Sequence, residues 1–388
     1  MRRLLPFFSV VLAAASGAAC TTVRGPMQSP PIVFVHGFKG ATLVDAQGDT
    51  AWLGATTALG LRTPRLSLPL EVASGVQAFD GLHATAPLER VRIVPGLVGQ
   101  DIYRPFLKAM RASDHDFFSF AYDWRRDNAE SLAQLIRFVQ QVRDQHAGAK
   151  VRLVAHSMGG LLGLGLLHAQ PEAIFDVVFA GVPFAGGIGL LKELHAGDVV
   201  GLNHQVLSPA VVATFPAAYT FFAEDGRGLL AQDGTPIPMD FFDPACWRQQ
   251  GLGMFAPGRV NPDDPNNDRL YAFLQHTLPK ARQFRGLLKA RQDLVYPPIL
   301  AVSGRAQPAL MQLVRGGPNS IYGWDFTLAP QDAGDGRVSL ANSRPYKGIP
   351  HTVLTSDFPH SNLLDDPAVI SAILQPLIPG TRGAGAVK

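Results

Sequence analysis

Cysteine is almost missing. The 388-residue chain has two, Cys20 and Cys246. A disulfide framework is thereby excluded, and the fold has to be held by its core. Lys/Arg runs longer than a pair are absent, and 34 basic against 31 acidic residues leave a formal net charge of only +3. That balance argues against a nucleic-acid surface, and no nucleic-acid partner is expected. There is no His-Glu-x-x-His segment and no cysteine–histidine cluster. No metal and no cofactor are therefore expected. No apolar run reaches the ~20 residues that a membrane-spanning helix needs, and no internal repeat or long low-complexity tract occurs. What is present is ordinary globular material, 47% hydrophobic and 17% charged, with length for one large domain or two.

The first residues stand apart. Arg2 and Arg3 precede the largely apolar Leu4 to Ala15, and the small residues Ser16, Gly17, Ala18 and Ala19 lead to Cys20. A basic start, an apolar middle and a small-residue end predict an export signal over 1–20. Cys20 stands where a bacterial lipoprotein carries its lipid anchor. The expected location is the cell envelope, outer membrane or periplasm, with a membrane surface as partner. Ordinary cleavage nearby is the competing reading, since Gly17 occupies the usual leucine place. Residues 21–30 read as a linker. Cys246, in DPACWRQQ, reads as a packed residue.

The rest of the chain alternates. Ile32 to Val35 is a continuous apolar run, as in a strand buried on both faces. A second strand is expected over 117–122. Leu132, Leu135, Ile136, Val139 and Val142 follow at helical spacing. A strand then ends at Ser157, a helix begins at Met158, and another strand covers 175–180. This rhythm predicts a mostly parallel sheet flanked by crossover helices, an α/β fold. The first part of that core would span 31–187. Residues 188–295 lose the rhythm and read as an inserted cap of helices and loops. The core resumes over 296–380, with strands at 297–304 and 351–355 and a closing helix at 366–374.

VRLVAHSMGG carries the chemistry. A serine on a tight strand-to-helix turn, with small residues two before and two after it, has the form of a nucleophile elbow. Ala155 and Gly159 fill the small places around Ser157. The competing reading is a serine that only starts a helix. A nucleophilic serine needs a base, and the base an orienting acid, in the chain order serine, acid, histidine. Asp332 and Asp335 are the candidate acids, and the flanking Gly334 and Gly336 favour Asp335. His351 and His360 compete as base. His360 is preferred because it follows the last strand, whereas His351 begins it. His156 is expected to point away from the reaction. Backbone N–H donors for an oxyanion are expected from Met158 and Phe38, with His36 and Gly37 supporting the loop.

Taken together, PIVFVHGFKGATLVD, Trp52, FAYDWRRD, VAHSMGG, GVPFAGG, GDGRV and PHSNLL resemble the lecithin:cholesterol acyltransferase family, a lipase-like branch of the α/β-hydrolases, in a bacterial lipoprotein-type form. The resemblance covers roughly residues 31–375 and is weakest in the insertion. It implies an acyl-ester enzyme with a Ser157–Asp335–His360 triad, a lipid or ester acyl donor, and water or an alcohol as acceptor. His36 departs from the proline usual in the first loop, and Arg337 from the threonine common in the acid motif. Trp124 and Arg125 would either line the lipid entrance or clamp the strand end; the second is preferred. The competing function is a non-catalytic envelope lipoprotein that keeps the fold for binding.

Overall fold

Six short strands, most of them apolar, form the central sheet. They are β1 (Ile32–Val35), β2 (Phe117–Phe120), β3 (Val151–His156), β4 (Ile174–Ala180), β5 (Ile299–Gly304) and β6 (Thr352–Ser356). The computed structural model describes residues 29–377 except 74, 95–97, 260–264 and 329–330. The export-signal segment, Cys20 and nearly all of the linker lie outside the described residues. The strand order is β6-β5-β4-β3-β1-β2, and every pairing is parallel. The inner strands β1, β3 and β5 are buried at every position, while the edge strands β2 and β6 are only partly buried. Burial on both faces is why their sequences show no apolar–polar alternation.

Successive side chains still go to opposite faces. Val33 and Val35 join a cluster with Leu135 and Val139 of α2 (Asn128–Gln145) and with Leu161 and Leu162 of α3 (Met158–Ala169). Ile32 and Phe34 join the opposite cluster, with Phe106 and Met110 of α1 (Arg104–Arg111) and Val369 and Ile373 of α5 (Pro367–Leu374). A helix layer therefore covers each face. The sequence order reverses direction at β1: β2 lies on one side of it and β3 on the other. Such a switch opens a crevice beyond the carboxyl ends of the two central strands. The His36–Gly40 loop leaves β1 there, and Ser157 leaves β3 there.

Two segments differ from the sequence expectation. Residues 41–101, given no elements above, contain a small antiparallel sheet of Ala41–Val44, Thr50–Trp52 and His83–Pro87. They also contain a hairpin of Arg90–Val94 with Val98–Asp101. These strands are three to five residues long, too short for a periodic signal to stand out. The stretch between β4 and β5, read as helices and loops, also holds a hairpin of Asp198–Val200 with Asn203–Leu207. Its long helix is α4 (Pro265–Gly286).

Trp124 and Arg125 are fully buried. The Trp124 Nε1–H donates to the Ala41 carbonyl. The Arg125 guanidinium donates to both carboxylate oxygens of Asp80 and of Asp123 and to the Leu66 carbonyl. This is the strand-end clamp, in which one buried cation ties three segments together.

Candidate active site

Ser157 sits at φ 54° and ψ −127° between β3 and α3. That conformation is costly for a residue with a Cβ, by about 1–3 kcal/mol, and persists because neighbours leave no alternative. A Cβ on Gly159 would lie 2.3 Å from the His36 carbonyl oxygen and 2.5 Å from that of Val35. A Cβ on Gly37 would lie 2.7 Å from the Ser157 Cβ. Glycine at both places lets the β1 loop and the elbow pass in contact. Ala155 is buried on β3.

The structure brings Ser157, His360 and Asp335 into one hydrogen-bonded series. The Ser157 hydroxyl lies 2.9 Å from His360 Nε2, and His360 Nδ1 lies 2.7 Å from Asp335 Oδ2. The carboxylate can only accept, so Nδ1 carries the proton and Nε2 is left to receive the serine's. Asp335 is 1% exposed. Its Oδ1 accepts from the N–H groups of Arg337 and Val338. Burial alone would raise this carboxyl, but the His360 ring and the two backbone donors outweigh it and hold the group below its usual range. The His360 N–H donates to the Asp335 carbonyl at 2.8 Å, so ring and backbone are tied to the same residue.

The alternatives fall elsewhere. Asp332 is exposed on the short strand Gln331–Gly334, paired with Gln307–Leu310. His351 is bonded through Nδ1 to the Ile349 carbonyl.

His36 is buried and stacked on Tyr122, with ring centroids 4.2 Å apart. Its Nδ1–H donates to the Gly37 carbonyl, and its Nε2 accepts the Tyr122 N–H. Burial pushes its pKa down to about 4, against the opposing pull of the Gly37 carbonyl. A neutral ring thus braces the loop from beneath. The backbone N–H groups of Phe38 and Met158 have no hydrogen-bond partner among the described residues. Both residues are adjacent to the Ser157–Gly37 contact.

Ser157 and His360 open into a cleft of about 500 Å³, within the ~300–1,000 Å³ usual for small-ligand sites. Trp52, Leu53, Leu88, Val200 and Phe221 give it apolar walls. At its rim Lys39 bonds Glu193 and Asp198, and Arg337 bonds Glu193 from the other side. Glu193 is 4% exposed and so joins the first loop, the acid loop and the insertion. Arg337 was visible in the sequence only as a departure, and nothing there marked Glu193 as its partner.

Phe221 and Phe222, adjacent in the apolar stretch of the insertion, have separate tasks. Phe221 lines the cleft beside Phe38, with centroids 5.6 Å apart. Phe222 is fully buried, stacked on Phe241 at 4.6 Å. Val206, Leu207, Val212, Phe215 and Tyr219 are core as well, whereas Val199 and Leu202 are exposed. Phe221→Ala is expected to remove the burial of about two methylenes, ~1.6 kcal/mol, and so to lower kcat/KM on long-chain esters roughly tenfold relative to short ones. Phe222→Ala is expected to cost about 3–5 kcal/mol of stability and depress all substrates alike. Chain-length profiles and melting curves of the two variants separate the effects; identical profiles would remove Phe221 from the substrate wall.

A parallel sheet in this order, with a strained serine between strand and helix at its switch point, defines an α/β-hydrolase fold. The comparisons with known proteins agree. One chain of the Tle4–Tli4 complex superposes with a TM-score of 0.56 at 14% identity, covering 89% of this chain and 98% of that one. The family model of lecithin:cholesterol acyltransferase matches residues 71–229, which bears out the family part of the resemblance read from the motifs and does not bear on the lipoprotein-type form. The match contains the YDWR segment, the elbow and GVPFAGG, and leaves β1, Asp335 and His360 outside it. The lysosomal phospholipase A and acyltransferase of Homo sapiens is 34% identical over 84 residues, 20% of this chain and 20% of that protein. Uncharacterized protein YJR098C of Saccharomyces cerevisiae is 22% identical over 225 residues, 57% of this chain and 33% of that protein. The chain thus spans a third or less of the length of these curated relatives.

Proposed function

We propose that this protein is a serine acyl enzyme acting on lipid esters. The observation that carries the reading is the Ser157–His360–Asp335 series at the mouth of an apolar cleft. The family match, and the phospholipase and acyltransferase named among the relatives, support a lipid ester as substrate.

The acyl chain lies along the walls formed by Trp52, Leu53 and Phe221, which brings the ester carbonyl to Ser157. His360 Nε2 takes the hydroxyl proton as Oγ attacks, and the carbonyl oxygen becomes negative. The N–H groups of Phe38 and Met158, with the positive end of α3, receive that charge. Asp335 stabilises the ring while it is an imidazolium and holds it in the productive tautomer. The proton then passes to the departing alcohol, leaving Ser157 acylated. Water entering the cleft gives a free acid, and an alcohol gives a new ester; the same residues serve both.

The test is a product analysis. Vesicles of mixed phospholipids are incubated with the purified protein, with and without a long-chain alcohol, and the lipids are identified by mass spectrometry. Free fatty acid together with lysophospholipid is expected without the alcohol, and an added fatty ester with it. No acyl release from phospholipids or simple esters under either condition would overturn the proposal.

A further inference from the structure

One hydrogen-bonded chain beneath the cleft joins the oxyanion loop to the base. The Gly37 N–H donates to the Tyr103 oxygen at 3.0 Å. The Tyr103 oxygen lies 2.8 Å from His156 Nδ1, and His156 Nε2 lies 2.8 Å from the His360 carbonyl oxygen. The two ends decide every proton between them. Gly37 can only donate and the His360 carbonyl can only accept, so Tyr103 donates to Nδ1 and Nε2–H donates to the carbonyl. His156 is thereby fixed as one neutral tautomer. Its burial, and next the nearby His360 ring, lower its pKa to about 3.

The placement of this chain is specific. His156 immediately precedes Ser157, and its ring centroid is 4.8 Å from that of His360. Tyr103 caps α1, packs edge-on to Phe34 of β1, and is 3% exposed. Two residues into the same helix, the Phe106 N–H donates to Asp365 Oδ1. Asp365 ends the short helical turn His360–Asp365, so that turn is held at its far end by α1 and at His360 by His156.

We infer that Tyr103 and His156 are positioning residues for the acyl reaction, forming one rigid link that sets the oxyanion loop and His360 at a fixed spacing around Ser157. This rests on the reading of Ser157 as nucleophile. In the transition state the oxyanion and the imidazolium develop together, and their separation has to match the tetrahedral centre. A link attached to the Gly37 peptide at one end and the His360 peptide at the other sets that separation before substrate arrives. It also keeps a second positive charge away from the imidazolium, because Tyr103 already occupies the site at which His156 would take a proton.

The test compares Tyr103→Phe, His156→Leu and His156→Gln with the unaltered protein on a soluble ester. Turnover is counted per reactive serine by fluorophosphonate titration, and melting temperatures are recorded. Tyr103→Phe strands Gly37 N–H and is expected to lower kcat about tenfold with KM within about twofold. His156→Leu is expected to lose at least as much. His156→Gln places an N–H donor at the position of Nε2, keeps the hold on the His360 carbonyl, and is expected to recover most of the rate. Unchanged kcat per labelled serine in Tyr103→Phe would overturn the inference, as would equal losses in the Leu and Gln variants. Ser157→Ala is run beside them: turnover surviving there would sink the function reading itself, which is a separate result.

Discussion

Ser157→Ala is expected to lose ester turnover by about 10⁶-fold, since removing the attacking oxygen costs about as much as removing the whole triad. The melting temperature should hardly change. Among the described residues the only side-chain bond of Ser157 is the one to His360, and alanine fits wherever the serine Cβ fits. The backbone bonds from the Ser157 N–H to the Ala180 carbonyl and from the Gly160 N–H to the Ser157 carbonyl do not need the hydroxyl. A folded Ser157→Ala protein with ordinary turnover would remove Ser157 from the chemistry and leave the strained turn without a catalytic reason.

Asp335→Asn is expected to lower kcat by about 10⁴-fold, for a reason the hydrogen bonds make explicit. Asp335 Oδ1 accepts two backbone N–H groups while Oδ2 faces His360 Nδ1. An asparagine keeps its oxygen on the backbone donors and turns its NH₂ toward the ring. His360 then carries its proton on Nε2, where it can no longer receive the serine's. Asp332→Asn, on the exposed strand, should leave kcat within about twofold, in keeping with the small effects of surface changes. Steady-state kinetics of the two variants decide between them, and a crippled Asp332→Asn beside an active Asp335→Asn would reverse the assignment.

Much of the core was legible because its signals are local. β1 is an unbroken apolar run, β3 and β5 are mostly apolar, and α2 carries five apolar residues at helical spacing. The elbow shows in the small residues two places either side of Ser157, although the contacts that demand Gly159 come from Val35 and His36. Strand ends moved by one or two residues: β2 stops at Phe120, and β6 runs from Thr352 to Ser356. The strands of residues 41–101 were invisible because each is too short for a periodic signal, and one pairing, Ala41–Val44 with His83–Pro87, also joins segments distant in sequence. In the insertion, hydrophobicity did not decide the destination: Val199 and Leu202 are exposed while Val206 and Phe215 are core. Phe221 and Phe222 are neighbours in sequence, yet one faces the cleft and the other the core.

The site shows the same division. Ser157, Asp335 and His360 sit in short motifs with turn chemistry of their own. Tyr103 lies in DIYRPF, which has none, and its contacts with Gly37 and His156 arise only when α1 docks beside β1. Glu193 likewise acquires its partners, Lys39 and Arg337, from two loops more than a hundred residues away on either side. His156 was read as turned away from the reaction, and its ring does leave Ser157 aside. Its bond to the His360 carbonyl is the part that spacing could not reveal.

The most direct test of the account is covalent labelling of the native protein with a fluorophosphonate, followed by peptide mapping. The serine oxygen displaces fluoride at phosphorus only if its proton is taken and the oxyanion is held, so the label reports the assembled site rather than the presence of a serine. The account predicts one phosphonylated residue, Ser157, with ester turnover falling in step with labelling. An unlabelled Ser157 in protein that still turns over esters, or loss of turnover on labelling at another residue, would contradict it.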